Sequence, residues 1–216
     1  MEGYESIKPR ANVVAVFLGI VILVDLVQVI FSFSQVGLLE RAAEGIYSEA
    51  EATMNDRRIE VASGVYLFMI IATGVAFVGW MAKAHRNLWA FGLRTGFSDS
   101  QVKWAFFIPF VNLVRPYQVM KAIWQGSVPV DDKLVGRSTQ VLGAWWGTWI
   151  LGGLFGRVSR GMTTGHDIPQ LISATQVGII SSIINIVCAG LAIWTIFSIT
   201  ARQESCASGQ VASEFD

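Results

Sequence analysis

Four long runs dominate the pattern of hydrophobic and polar positions. Residues 13–33 form a 21-residue run whose single charge is Asp25. Residues 61–82 (22 residues), 138–155 (18 residues) and 172–199 (28 residues) contain no charge at all. About 20 residues of helix, rising ~1.5 Å each, cross a hydrocarbon core ~30 Å thick. Lipid offers no partner to backbone N–H and C=O groups, so each run must close its own hydrogen bonds as a helix. The pattern therefore predicts an all-α, integral membrane four-helix bundle. The last run is long enough to tilt or to project past the headgroups.

The stretches between the runs are patterned too. Leu38, Leu39, Ala42, Ala43, Ile46, Ala50 and Met54 recur every three or four residues, separated by Glu and Arg. This predicts an extended acidic external helical hairpin, with six acids against three arginines over residues 35–60. On the other side, Trp80 to Gly92 continues the second helix out of the bilayer. Ser98 with Gln101 resembles a capping box. Residues 104–114 form an uncharged run around Pro109 that is too short to span, so it reads as interfacial or re-entrant. Pro116 opens a further helix, with Tyr117, Met120 and Trp124 along one stripe, and Gly126 ends it. Together, residues 98–126 predict interfacial cytoplasmic helices.

Composition narrows the class. Hydrophobic residues make up 53% of 216 and charged residues 15%, too greasy for a soluble domain and far too greasy for a disordered one. The net charge of zero favours no nucleic-acid partner. Cys188 lies in an apolar run and Cys206 in a polar tail, so no disulfide scaffold is expected. The apolar core of the first run is too long for a signal peptide and Ser32-Phe33-Ser34 is a poor cleavage site, so it reads as an uncleaved span. Four spans place eleven Lys and Arg on the side of the termini and five on the other. The positive-inside bias then puts both termini in the cytoplasm of a bacterial inner (plasma) membrane. All eight tryptophans fall in the cytoplasmic loop or the cytoplasmic half of a span. Interfacial anchoring explains that clustering; helix packing explains Trp145, Trp146 and Trp149 equally well. Residues 1–204 read as one transmembrane domain and 205–216 as a polar C-terminal tail.

Three sets of residues carry candidate function. Lys83, His85, Arg86, Asn87, Asn112, Arg115, Tyr117, Lys121 and Trp124 form a basic-aromatic platform for membrane lipids or a partner at the inner leaflet. Asp25, Gln28 and Asn185 are polar groups inside spans, where a carboxylate costs a few kcal/mol and must face the bundle, protonated or hydrogen-bonded. Gly143/Gly147 and Gly152/Gly156 are two Gly-x-x-x-Gly pairs; at 100° per residue they lie on opposite faces, open to close helix approach. The two histidines, His85 and His166, are expected on opposite sides of the membrane, so they cannot share one haem. His85 itself reads as solvated or interfacial. No Cys/His spacing suits zinc, and no phosphate loop or protease motif is present, so neither a cofactor nor a metal site is expected.

Several words of the sequence resemble a bacterial family, domain of unknown function 4328. They are Trp80 with Lys83-Ala-His-Arg-Asn87, the segment Phe107-Ile-Pro-Phe-Val-Asn-Leu-Val-Arg-Pro-Tyr117, and Trp145-Trp-Gly-Thr-Trp149. The acidic stretch Glu49-Ala-Glu-Ala before Asp56-Arg-Arg58 is similar to the family's first external loop. The likeness covers roughly residues 10–200. Gly147 departs from it, where a larger or alanine-like residue would follow the tryptophan pair. The resemblance implies a multi-span membrane protein and carries no activity. The leading expectation is a non-enzymatic accessory or scaffold subunit that holds other membrane chains through its glycine faces. The alternatives are a small transporter, channel or proton-linked sensor using Asp25, and a headgroup-directed lipid enzyme using His85, Arg86, Asn112 and Arg115.

Overall fold

A computed structural model describes residues 3–46, 48–127, 139–163 and 167–213. Among them the regular structure is helical: α1 (Lys8–Ala43), α2 (Glu49–Ala90), α3 (Asp99–Trp104), a 3-10 turn (Val111–Leu113), α4 (Arg115–Gly126), α5 (Gln140–Met162) and α6 (Ile168–Ser213). Lys133, Arg137, Ser138 and His166 lie outside the described residues.

Among the described residues three helices are long and apolar enough to cross a membrane: α1, α2 and the 168–208 part of α6. The remaining expected span, residues 138–155, falls on α5. Helix α5 has the length, at 23 residues. Trp145, Trp146, Trp149, its glycines, Arg157 and Arg160 dilute its apolarity below that of the others. The three apolar helices turn large side chains outward, among them Leu23, Ile30, Leu67, Phe68 and Val75, each at least 60% exposed. Such faces are stable against lipid or another apolar surface, not against water.

The acidic hairpin is present as α1 turning into α2. Gly45, at φ +81°, ends α1 in a Schellman motif. There Ile46 N–H donates to Arg41 C=O at 2.9 Å and Gly45 N–H to Ala42 C=O at 3.1 Å. Gly92, at φ +75°, ends α2 the same way, with Leu93 N–H on Leu88 C=O at 2.8 Å and Gly92 N–H on Trp89 C=O at 3.0 Å. Both positions need the left-handed backbone that glycine adopts without a Cβ clash. The Ser98 capping box opens α3 as expected. Pro116 stands in the first turn of α4.

The chain divides into two compact units. One comprises residues 1–17, 72–146 and 191–216; the other comprises 18–71 and 147–190. The core of the first gathers Ile7 just before α1, Ala11 and Val14 of α1, Trp80, Met81, Ala84 and Leu88 of α2, Met120 and Ile123 of α4, and Ile196 and Ile199 of α6. Trp145 and Trp146 are buried in it, with ring centroids 5.4 Å apart. For these two, packing is therefore the answer rather than anchoring.

The second unit depends on close backbone approach, because lipid tails leave no hydrophobic drive to bring helices together. Helices α5 and α6 run antiparallel there. Ser181 Oγ donates to Gly152 C=O at 3.0 Å, and Ser159 Oγ donates to Ala174 C=O at 2.8 Å. A Cβ at Gly152 would overlap Asn185 Oδ1, and one at Gly156 would come 3.2 Å from Ser181 Oγ. The opposite pair behaves differently: a Cβ at Gly143 or Gly147 would meet nothing within 4 Å.

Candidate functional site

Each unit places a set of polar side chains where the sequence leads one to look. In the second unit the buried stripe of α1 continues from Leu18 and Val21 to Asp25, which is 1% exposed. The three- and four-residue steps put the carboxyl on the inward face. Its hydrogen-bonding neighbour is Ser182 of α6. Oδ2 of Asp25 and Nε2 of Gln28 are both buried and have no hydrogen-bond partner. Asn185 donates from Nδ2 to the Tyr66 hydroxyl at 3.3 Å. Tyr66 lies within electrostatic reach of Asp25. The cluster is thus Asp25, Gln28, Tyr66, Ser182 and Asn185, drawn from α1, α2 and α6. It has one acid and, among the described residues, no ion-paired cation, although Arg160 acts on Tyr66 electrostatically.

In the first unit the motif at the end of α2 turns largely inward. His85, expected to be solvated or interfacial, is fully enclosed. Its neighbours Met81, Ala84 and Leu88 occupy the buried stripe of α2, and His85 shares it. Nε2 of His85 is 2.5 Å from Thr95 Oγ1, and Nδ1 is 3.9 Å from Asp99 Oδ1. Arg86 Nε lies 3.9 Å from the other oxygen of Asp99. These contacts tie the loop after α2 back onto its parent helix.

Asn87 is buried at 2% exposure and sits in a relay. Its Nδ2 donates to Glu5 C=O at 2.9 Å and to Gln203 Oε1 at 3.0 Å. Gln203, completely buried, donates from Nε2 to Ala84 C=O at 2.9 Å and to Ser127 Oγ at 3.0 Å. Ser127 donates in turn to Ile123 C=O at 2.7 Å. One connected set of hydrogen bonds thus joins the segment before α1 to α2, α4 and α6. Beside it, Glu204 accepts from Tyr4 at 2.7 Å and Ser6 at 2.5 Å, and pairs with Lys8 at 3.4 Å. Burial, and then Glu204, push the Tyr4 phenol upward. Lys83 pairs with Glu5 and holds that carboxyl below the usual carboxylate range. The pair is present at neutral pH and is lost as pH falls through the lowered value.

The remaining platform residues are distributed as follows. Trp124 is 3% exposed, with Arg202 stacked 3.8 Å from its ring centre. Asn112, Arg115 and Tyr117 are half-buried, and Lys121 is exposed. Arg115 lies 5.5 Å over the Phe97 ring. His85, Asn87 and Trp124 therefore stabilise the interior, while Arg115, Tyr117 and Lys121 reach its surface. Sequence reasoning did not single out Glu5, Thr95, Asp99, Gln203 or Tyr66. Gln203 was within reach of it, because Ile196, Ile199 and Gln203 recur every three or four residues on the buried face of α6.

Near the same motif lies one strained residue. Phe110 has φ 63° and ψ −39° and is the one non-glycine residue at positive φ among the described residues. Such a backbone costs on the order of 1–3 kcal/mol.

A family model for domain of unknown function 4328 matches residues 44–201. The chain belongs to that family. The match takes in α2 to α5 and most of α6, with the motifs at 80–87, 107–117 and 145–149. Helix α1, with Asp25 and Gln28, lies before the matched residues. No curated protein and no solved structure matches the chain.

Proposed function

We propose that this member of the family is a non-enzymatic accessory or scaffold subunit of a membrane complex. It sits in the bacterial plasma membrane with both termini in the cytoplasm, α5 serving as the fourth crossing. The charge bias of eleven to five supports that orientation. The observation that carries the scaffold reading is the contrast between the two glycine pairs. Gly152 and Gly156 are filled from within the chain, whereas Gly143 and Gly147 stand open on α5. A small-residue face of this kind lets a second backbone approach closely. Gly143→Leu and Gly147→Leu are expected to leave folding intact and to reduce crosslinking to other membrane chains at least tenfold in native membranes. Equal crosslinking yields for parent and variants would refute the scaffold reading.

The buried, half-satisfied Asp25 carboxyl favours a second reading, a proton- or cation-linked transporter or sensor. Intramembrane acids lie on ion pathways more often than their rarity predicts. Asp25→Asn keeps the shape and removes the charge. Flux through reconstituted protein is expected to fall more than tenfold in this variant. Unchanged flux, or none from the parent, dismisses the second reading.

A further inference from the structure

Residues 104–114 are neither a span nor a solvated loop. Trp104, Phe107, Ile108, Phe110, Leu113 and Val114 are between 45% and 86% exposed, Phe110 most of all. A continuous apolar patch of this kind is unstable against water. Three contacts fix its depth. The Phe106 ring stands edge-on to Phe77 of α2 at 5.7 Å and to Trp146 of α5 at 6.3 Å. Trp146 Nε1 also donates to Leu113 C=O at 3.0 Å. Phe77 lies five residues before Ala82, where the uncharged run of α2 ends at Lys83. At 1.5 Å per residue that is about 7 Å inside the run. Trp146 lies six residues, or about 9 Å, along α5 from Gln140.

Non-helical backbone survives at such depth only when its polar groups are satisfied. Here tight turns satisfy five of the N–H groups. Phe107 N–H donates to Trp104 C=O at 3.0 Å, Val111 to Pro109 at 2.8 Å, Asn112 to Ile108 at 2.9 Å, Leu113 to Phe110 at 3.2 Å and Val114 to Val111 at 3.1 Å. Pro109 has no N–H to satisfy. Lys103 and Arg115 bracket the segment, and both belong at headgroup height.

The geometry points to a lipid-embedded wedge: residues 104–114 enter the leaflet on the Lys83 side and return to that same side. Phe107, Ile108 and Phe110 are seated among phospholipid acyl chains. The exposures of Phe107 and Phe110, 58% and 86%, match those of the outward side chains of the apolar helices, such as Leu23 at 62% and Phe68 at 69%. The inference rests on the membrane-capable helices and not on the accessory-subunit reading.

The test uses the full chain, with Cys188→Ala and Cys206→Ser, in phosphatidylethanolamine–phosphatidylglycerol vesicles. Nitroxide is attached at Phe110→Cys, with Phe107→Cys and Ile108→Cys in reserve should the first fail to fold. Phe68→Cys and Ser100→Cys serve as lipid and water references. At the wedge positions, collision with oxygen is expected to exceed collision with a water-soluble nickel chelate several-fold, as at Phe68. Nickel-dominated collision, as at Ser100, places the segment in water and overturns the proposal. Low collision with both means that protein covers it, which overturns it equally.

Discussion

Gln203→Leu is expected to lower stability by about 2–4 kcal/mol, although it replaces a polar side chain by an apolar one of similar size in a buried place. Three groups each lose one hydrogen bond at once: Ala84 C=O, the Ser127 hydroxyl and the Asn87 amide, the last two keeping Ile123 C=O and Glu5 C=O. A buried polar group left unpaired costs about 1–3 kcal/mol, far more than the ~1 kcal/mol net that a formed hydrogen bond contributes. The low surrounding dielectric raises the stakes. A double-mutant cycle refines the expectation. Asn87→Leu with Gln203→Leu should cost less than the sum of the single changes, because the shared bond is then missing from both sides. Equilibrium unfolding by SDS in mixed micelles measures all three. A single-mutant loss below about 0.5 kcal/mol would show that the relay is incidental.

Gly152→Val should be about as harmful as the loss of the relay, for a different reason. Its Cβ would overlap Asn185 Oδ1, and Ile184 Cγ2 stands only 3.5 Å from that same atom. Asn185 must move, and its bond to Tyr66 goes with it. Overpacking of this kind costs about 1–3 kcal/mol. Gly143→Val is the control, since its Cβ meets nothing within 4 Å. Its effect should stay within about 0.5 kcal/mol, as for open positions generally. Thermal midpoints in one detergent compare the two, and equal shifts would contradict the packing described for α5 and α6.

Much of this architecture is legible in the chain because the controlling physics is local. Uncharged runs mark the helices that lipid requires. Ser98, Pro116 and Gly92 mark starts and stops through backbone chemistry that needs no distant partner. The opposed glycine pairs follow from helical pitch alone. The run at residues 138–155 is harder to read, because its glycines and tryptophans lower its mean hydropathy and Arg157 and Arg160 follow closely. The inward turn of His85 and Asn87 was obscured by the charges beside them, although Met81, Ala84 and Leu88 mark the buried stripe. The partners Glu5 and Gln203 lie 82 and 116 residues from Asn87 in sequence, so no periodic pattern joins them. For Asp25 the stripe gives burial but not the neighbour, Ser182.

The clasp between Tyr4 and Glu204 closes a separation of 200 residues. Ribosomes add about 5–20 residues per second, so the opening segment waits roughly 10–40 s for the helix that receives it. Contacts of such long range form late, after the entropy of closing the intervening chain has been overcome. The inward-facing amide of Asn87 therefore completes its hydrogen bonds among the last events of biogenesis. Any nascent chain released before residue 203 leaves that amide without its glutamine partner.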